Sequence, residues 1–219
     1  MLLKKINHNS LKEEVYRNLK ESIIYQYGIY PGDNIKIKEI SEEFNVSVTP
    51  VREALKHLEG EGLVINKKGK GCYVIDPSKE DIIHLFEVRC SLEKLAVKQS
   101  ASNITTSDIK HMEKINRALK EVDGNDFKVT TELNEEFHSI FINKSKNSWL
   151  RQIMDHLNDL FIFIRSNDKD NELYDAADMH TEIINAFKKN DSKLAIEKME
   201  KHITVSRDKV LKSLKRDKQ

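Results

Sequence analysis

Val46-Ser47-Val48-Thr49-Pro50-Val51-Arg52-Glu53-Ala54-Leu55 reads as the opening of a short helix whose polar end faces outward. Ser47 or Thr49 can supply an N-cap oxygen, and Pro50 falls in the first turn, where its missing N–H removes no intrahelical bond. Val51, Ala54, Leu55 and Leu58 form an inward stripe, leaving Ser47, Thr49 and Arg52 on the outer face near the helix start. Hydroxyls, free N–H groups and a guanidinium at a helix N-terminus suit phosphates and base edges.

The flanking chain supports this helix. Leu11, Val15, Leu19 and Ile23 repeat at helical spacing, so residues 10–27 are expected as an amphipathic helix capped by Ser10, ended by Gly28 and the turn Tyr30-Pro31-Gly32-Asp33. A second short helix is expected from Lys38 to Phe44, with Asn45 as its left-handed exit. Downstream, Leu63-Val64-Ile65 and Tyr73-Val74-Ile75 flank Asn66-Lys67-Lys68-Gly69-Lys70-Gly71 as a β-hairpin with a cationic, sterically open tip. Lysines in an isolated turn are ordinarily just solvated. Two short helices followed by this hairpin, however, make a winged helix-turn-helix, and the expected partner is double-stranded operator DNA.

Composition limits how such binding can work. The 219 residues carry a formal net charge of +1, so a diffuse electrostatic grip is excluded and cations must be placed locally. Few Gly and Pro and 38% hydrophobic residues indicate a mainly α protein long enough for two domains. Cys72 and Cys90 form no CxxC and fit unpaired thiols in a reducing, cytoplasmic setting. No run of eighteen apolar residues suggests a membrane span.

The expected boundary lies at Asp76-Pro77, dividing a winged helix-turn-helix domain (1–76) from an all-helical ligand-binding and dimerisation domain (77–219). Segments 78–101, 106–122, 126–144, 147–166, 171–189 and 191–215 carry apolar residues at helical spacing, which predicts an antiparallel six-helix bundle. The lysine-rich end, Lys209 to Lys218, is expected as a fraying tail. Trp149 is expected to pack, and Phe161-Ile162-Phe163-Ile164 to be buried on several sides or at a subunit interface. A recognition helix reads only a few base pairs, so useful specificity calls for two half-sites and a homodimer.

Histidines are the informative polar residues of the bundle. Asn134 and His138 share a helix face at i, i+4, while His180 and His202 each adjoin an apolar stripe. Three imidazoles from three helices with an amide oxygen suit a divalent transition metal, zinc or nickel. Histidines beside apolar stripes also serve as hydrogen-bonded core, and spacing alone leaves both readings open. A metal-dependent hydrolase is the alternative use of such a cluster, but it needs a general base within reach and there is no HExxH.

From about Leu11 to Val74 the chain resembles the DNA-binding domain of GntR-family bacterial transcription regulators. The resemblance rests on Pro31-Gly32, Val46 through Leu55, Glu61-Gly62-Leu63-Val64 and Gly69-Lys70-Gly71. It implies operator contacts by Lys38, Ser47, Thr49, Arg52, Lys68 and Gly69. Val48 stands where the family frequently has a basic residue, which implies either weaker guanine readout or its replacement by apolar contact with a thymine methyl. Residues 78–214 resemble the FCD domain of the FadR/FCD-type subfamily through Arg89-Cys90-Ser91-Leu92-Glu93, Asn134-Glu135-Glu136-Phe137-His138, His180 to Ala186 and Met199-Glu200-Lys201-His202. This implies a metal held by Asn134, His138, His180 and His202 and a small organic acid effector. Arg89 would face the same cavity, a buried guanidinium needing an acidic partner such as Glu93 or the effector itself, and Arg165 is a further effector-binding candidate.

Overall fold

The computed structural model describes residues 11–122, 126–166 and 174–216. It divides into two compact units, Met1–Asp76 and Pro77–Gln219. In the first, α1 (Leu11–Ile24) packs on α3 (Val48–Gly60). Their facing stripes are the expected ones: Val15, Leu19 and Ile23 meet Val51, Ala54, Leu55 and Leu58, all buried, whereas Leu11 at the helix start is exposed. Burying apolar side chains of this size contributes roughly 1.5–3 kcal/mol each, so these two stripes hold the unit together.

Between them lies α2 (Ile37–Glu43). Asn45 ends it at φ 51°, the left-handed exit its short polar side chain tolerates. Ser47 is the N-cap of α3, although its side chain makes no capping bond, and its hydroxyl is left exposed with that of Thr49. The expected Ser10 cap of α1 lies outside the described residues.

The hairpin pairs β2 (Val64–Lys67) with β3 (Gly71–Val74), antiparallel, in register Val64↔Val74 and Lys67↔Gly71. A third strand, β1 (Asn34–Ile35), joins its free edge and gives the order β1-β3-β2. Gly69 turns the tip at φ +73°, and a Cβ placed there would meet nothing within 4 Å.

Among the described residues, six helices form the second unit: α4 (Lys79–Ser100), α5 (Thr106–Glu121), α6 (Phe127–Lys144), α7 (Ser148–Arg165), α8 (Tyr174–Lys188) and α9 (Ser192–Arg216). Residues 171–173 of the expected fifth segment lie outside the described residues. Local signals set the starts. Ser78 with Asp81 and Thr105 with Asp108 form capping boxes for α4 and α5, and Asp126 and Asn147 cap α6 and α7.

Helix α4 packs on α6, α7 and α9, α5 on α6 and α8, and α8 on α9. Phe86, Phe137, Phe141, Phe161 and Phe163 fill the centre. The Phe161–Ile164 run is thus buried within the bundle, whereas Trp149 is 71% exposed, contrary to expectation. The lysine-rich end is helical from Lys209 through Arg216, and residues 217–218 of that expected tail lie outside the described residues.

Candidate functional site

In the first unit, Lys38, Ser47, Thr49, Arg52, Lys68 and Gly69 are all exposed, with Val48 half-buried beside them. Three neighbouring cations are engaged: Lys12 pairs with Glu53 at 2.7 Å, Lys36 with Glu39 at 3.1 Å, and Lys67 lies 4.4 Å over the Tyr73 ring. Among the described residues, no carboxylate pairs with Lys38, Arg52 or Lys68. These three charges are therefore available to an external polyanion without breaking an internal bond.

The second unit draws a polar centre into its core. His138 from α6, His180 from α8 and His202 from α9 are buried, and one ring nitrogen from each lies within 4.8 Å of the others. His138 Nε2 is 3.1 Å from His202 Nε2. His180 stacks flat on Phe137, with ring centroids 3.8 Å apart, which fixes the plane of its imidazole. One turn away, Asn116 of α5 donates to Ala177 O and to Thr181 Oγ1, both at 2.9 Å, and so pins this part of α8.

Electrostatics keeps these rings ready to donate lone pairs. Burial, reinforced by His138, Arg165 and Arg89, pushes the His180 pKa well below its ordinary value. Burial, with His180 and His138 next, does the same for His202. Both are neutral imidazoles at physiological pH.

The nitrogens' partners bear on the two readings open from sequence. A core histidine should be hydrogen-bonded, yet His180 has both ring nitrogens buried without a hydrogen-bond partner, and His202 Nδ1 is also unpartnered. Three buried histidines, each offering a ring nitrogen within 4.8 Å of the others, form a donor set of the kind that suits a divalent transition ion. Asn134 is 2% exposed and lines a cavity with His202, Arg89 and Arg165.

Around the histidines lies a buried charge network. Arg89 Nη2 is 3.2 Å from Glu135 Oε1, its Nε is 3.6 Å from Glu93 Oε1, and its guanidinium lies 4.6 Å over the Phe161 ring. Arg165 Nη1 is 3.5 Å from the same Glu135 oxygen. Burial would raise the Glu135 pKa, but Arg89, then His138 and Arg165, pull it below the usual carboxylate range. Burial disfavours the Arg89 charge, and Glu135 and Glu93 more than restore it.

The expected Glu93 partner of Arg89 is therefore present, but Glu135 is closer. Glu93 also reaches His138, its Oε1 2.9 Å from Nδ1 although off the line of a hydrogen bond. Neither Glu93–His138 nor Glu135–Arg165 was visible in the sequence, where Glu135 looks like one of the charges between Glu132 and Glu136.

The model for bacterial regulatory proteins of the gntR family matches residues 11–74, and that for the FCD domain matches residues 84–205, more than half the chain. The chain belongs to the FCD-type GntR regulators. It is a transcription regulator rather than an enzyme. Among similar GntR proteins, the HTH-type transcriptional regulator YdhC of Bacillus subtilis is 28% identical over 156 residues, 69% of this chain and 68% of that protein. The probable D-xylose utilization operon transcriptional repressor of Paenarthrobacter nicotinovorans is 28% identical over 177 residues, covering 78% and 76%. The solved structure of E. coli McbR/YncC shares the fold at a TM-score of 0.74 and 19% identity, over 93% of this chain and 98% of that one. Among the described residues no helix is long and apolar enough to cross a membrane.

Proposed function

We propose that the protein is a cytoplasmic homodimer that binds a palindromic operator and changes its grip when a small carboxylate metabolite enters its metal-containing helical domain. The observation carrying this reading is a cluster of three buried imidazoles, one of which, His202, also lines a cavity with Arg89, Asn134 and Arg165. His138, His180, His202 and the Asn134 oxygen would hold a divalent transition ion, zinc or nickel. When bound, the ion supplies positive charge and open coordination positions for an acid's oxygens. Arg89 and Arg165 orient the acid by charge-assisted hydrogen bonds.

On the DNA side, Lys38, Lys68 and the Gly69 backbone meet phosphates while Ser47, Thr49 and Arg52 at the start of α3 reach base edges. For an effector to matter, it must bind one arrangement of the paired winged units better than another. The test is an operator titration by fluorescence anisotropy with the zinc-loaded protein and a panel of small organic acids. One acid should shift operator affinity several-fold; no shift with any acid refutes the sensing reading.

Dimerisation has its own support. Val88 and Leu95 on α4 and Trp149 and Ile153 on α7 are exposed apolar residues on two helices that pack together. A second copy covering them would bring two winged units into one molecule, which could then read a palindrome with half-sites about 34 Å apart. Sedimentation equilibrium should give twice the 25.5 kDa chain mass, and Trp149→Glu should return it to the monomer value.

Glu93 is expected to orient His138 through Nδ1, holding the tautomer whose Nε2 lone pair faces the centre. Glu93→Gln should weaken zinc binding roughly 10- to 100-fold, as loss of such an outer partner typically does. Competition with a chromogenic chelator measures it, and unchanged affinity removes the role.

A further inference from the structure

The cavity lined by Arg89, Asn134, Arg165 and His202 has a volume of about 40 Å³. That is room for a few waters, far below the roughly 300 Å³ at which small-molecule pockets begin. An acid therefore needs space that the described residues now fill. The groups it would pair with are also occupied: Glu135 Oε1 collects Arg89 Nη2 at 3.2 Å, Arg165 Nη1 at 3.5 Å and Asn134 Nδ2 at 3.1 Å. One carboxylate oxygen gathering two guanidinium groups and an amide is the arrangement expected of a bound anion.

We infer that Glu135 is an internal stand-in for the effector's carboxylate, a specificity-determining residue that an incoming acid must displace from Arg89 and Arg165. The inference rests on the carboxylate-sensing reading above and adds which residue the acid competes with. Glu135 is also the member of the network with a way out. Its side chain is 17% exposed, against 3% for Arg89, 8% for Arg165 and 0% for Glu93.

Displacement has a consequence for selectivity. Exchanging one carboxylate for another at the same two arginines gains little, so an acid with a single carboxylate should bind only weakly. An acid with a second carboxylate adds contacts that Glu135 never made. Substitution of Glu135 should therefore relax the discrimination against simple acids most of all.

Isothermal titration calorimetry of the full zinc-loaded chain with acetate and with malonate tests this. Wild type should bind malonate and take up acetate only weakly. Glu135→Gln, which removes the competing charge, should bind acetate at least ten-fold tighter and narrow the malonate-to-acetate ratio. Arg89→Ala should lose both probes. Should Glu135→Gln not fold, Glu135→Asp, one methylene shorter, should move acetate affinity in the same direction.

If Arg89→Ala loses malonate but neither Glu135 variant binds acetate more tightly, the sensing reading stands and the stand-in role is overturned. If wild type binds neither probe, or Arg89→Ala binds malonate as wild type does, carboxylate sensing through Arg89 fails and the stand-in role falls with it.

Discussion

His180→Ala should leave the protein unable to retain zinc or respond to an acid, while its operator affinity in the absence of effector stays within about two-fold of wild type. The expectation follows from where the ring sits. His180 has no hydrogen bond to lose, so removing it does not strand a protein partner. It does remove one of three converging lone pairs, and its metal affinity should fall further than the roughly 10- to 100-fold typical of losing an outer partner. The truncation leaves a cavity beside Phe137, and a destabilisation of about 2–4 kcal/mol is expected from lost packing alone. Zinc by elemental analysis and operator titration with and without acid read the two effects separately, and His202→Ala should behave alike. Zinc retained at wild-type stoichiometry in both variants refutes the metal centre and returns the histidines to a packing role.

Arg52→Ala should weaken specific operator binding by about 1–3 kcal/mol, a loss of roughly 5- to 150-fold, and relax the sequence preference at the base it reads. Lys68→Ala should instead weaken specific and nonspecific DNA by similar factors and reduce the slope of log affinity against log salt by about 1, because it neutralises a phosphate. The contrast between the two variants is the informative result. Arg52 sits one residue after the buried Val51, at the exposed N-terminal end of α3, whereas Lys68 lies in the open hairpin tip. Anisotropy at several salt concentrations on operator and scrambled duplexes decides, and wild-type behaviour of both variants removes the winged-helix interface.

Much of the fold was legible because its determinants are local. The α3 stripe, the Asn45 exit and the hairpin glycines each act within a few residues. Strand β1 was not legible, since a two-residue strand exists only by pairing with Cys72 and Tyr73 about forty positions away. The three histidines could be picked out by their place beside apolar stripes at helical spacing, and Arg89 through the resemblance to the FCD domain. Glu135 could not, because a glutamate in an acidic stretch reads as solvated until α4 and α7 bring arginines against it. Trp149 failed for the opposite reason: a large ring is expected inside, and only the packed bundle reveals that no described element covers it.

The distribution of free cations on the winged unit also bears on how the regulator travels. Lys12, Lys36 and Lys67 are held by carboxylates or a ring, and the whole chain carries only +1. Random duplex therefore meets fewer mobile charges than the unit's lysine content suggests, and the hold it gains should be brief at physiological salt. The search for an operator then proceeds by frequent short landings and returns to bulk solvent rather than by long one-dimensional slides, which makes occupancy sensitive to how many copies of the protein the cell contains.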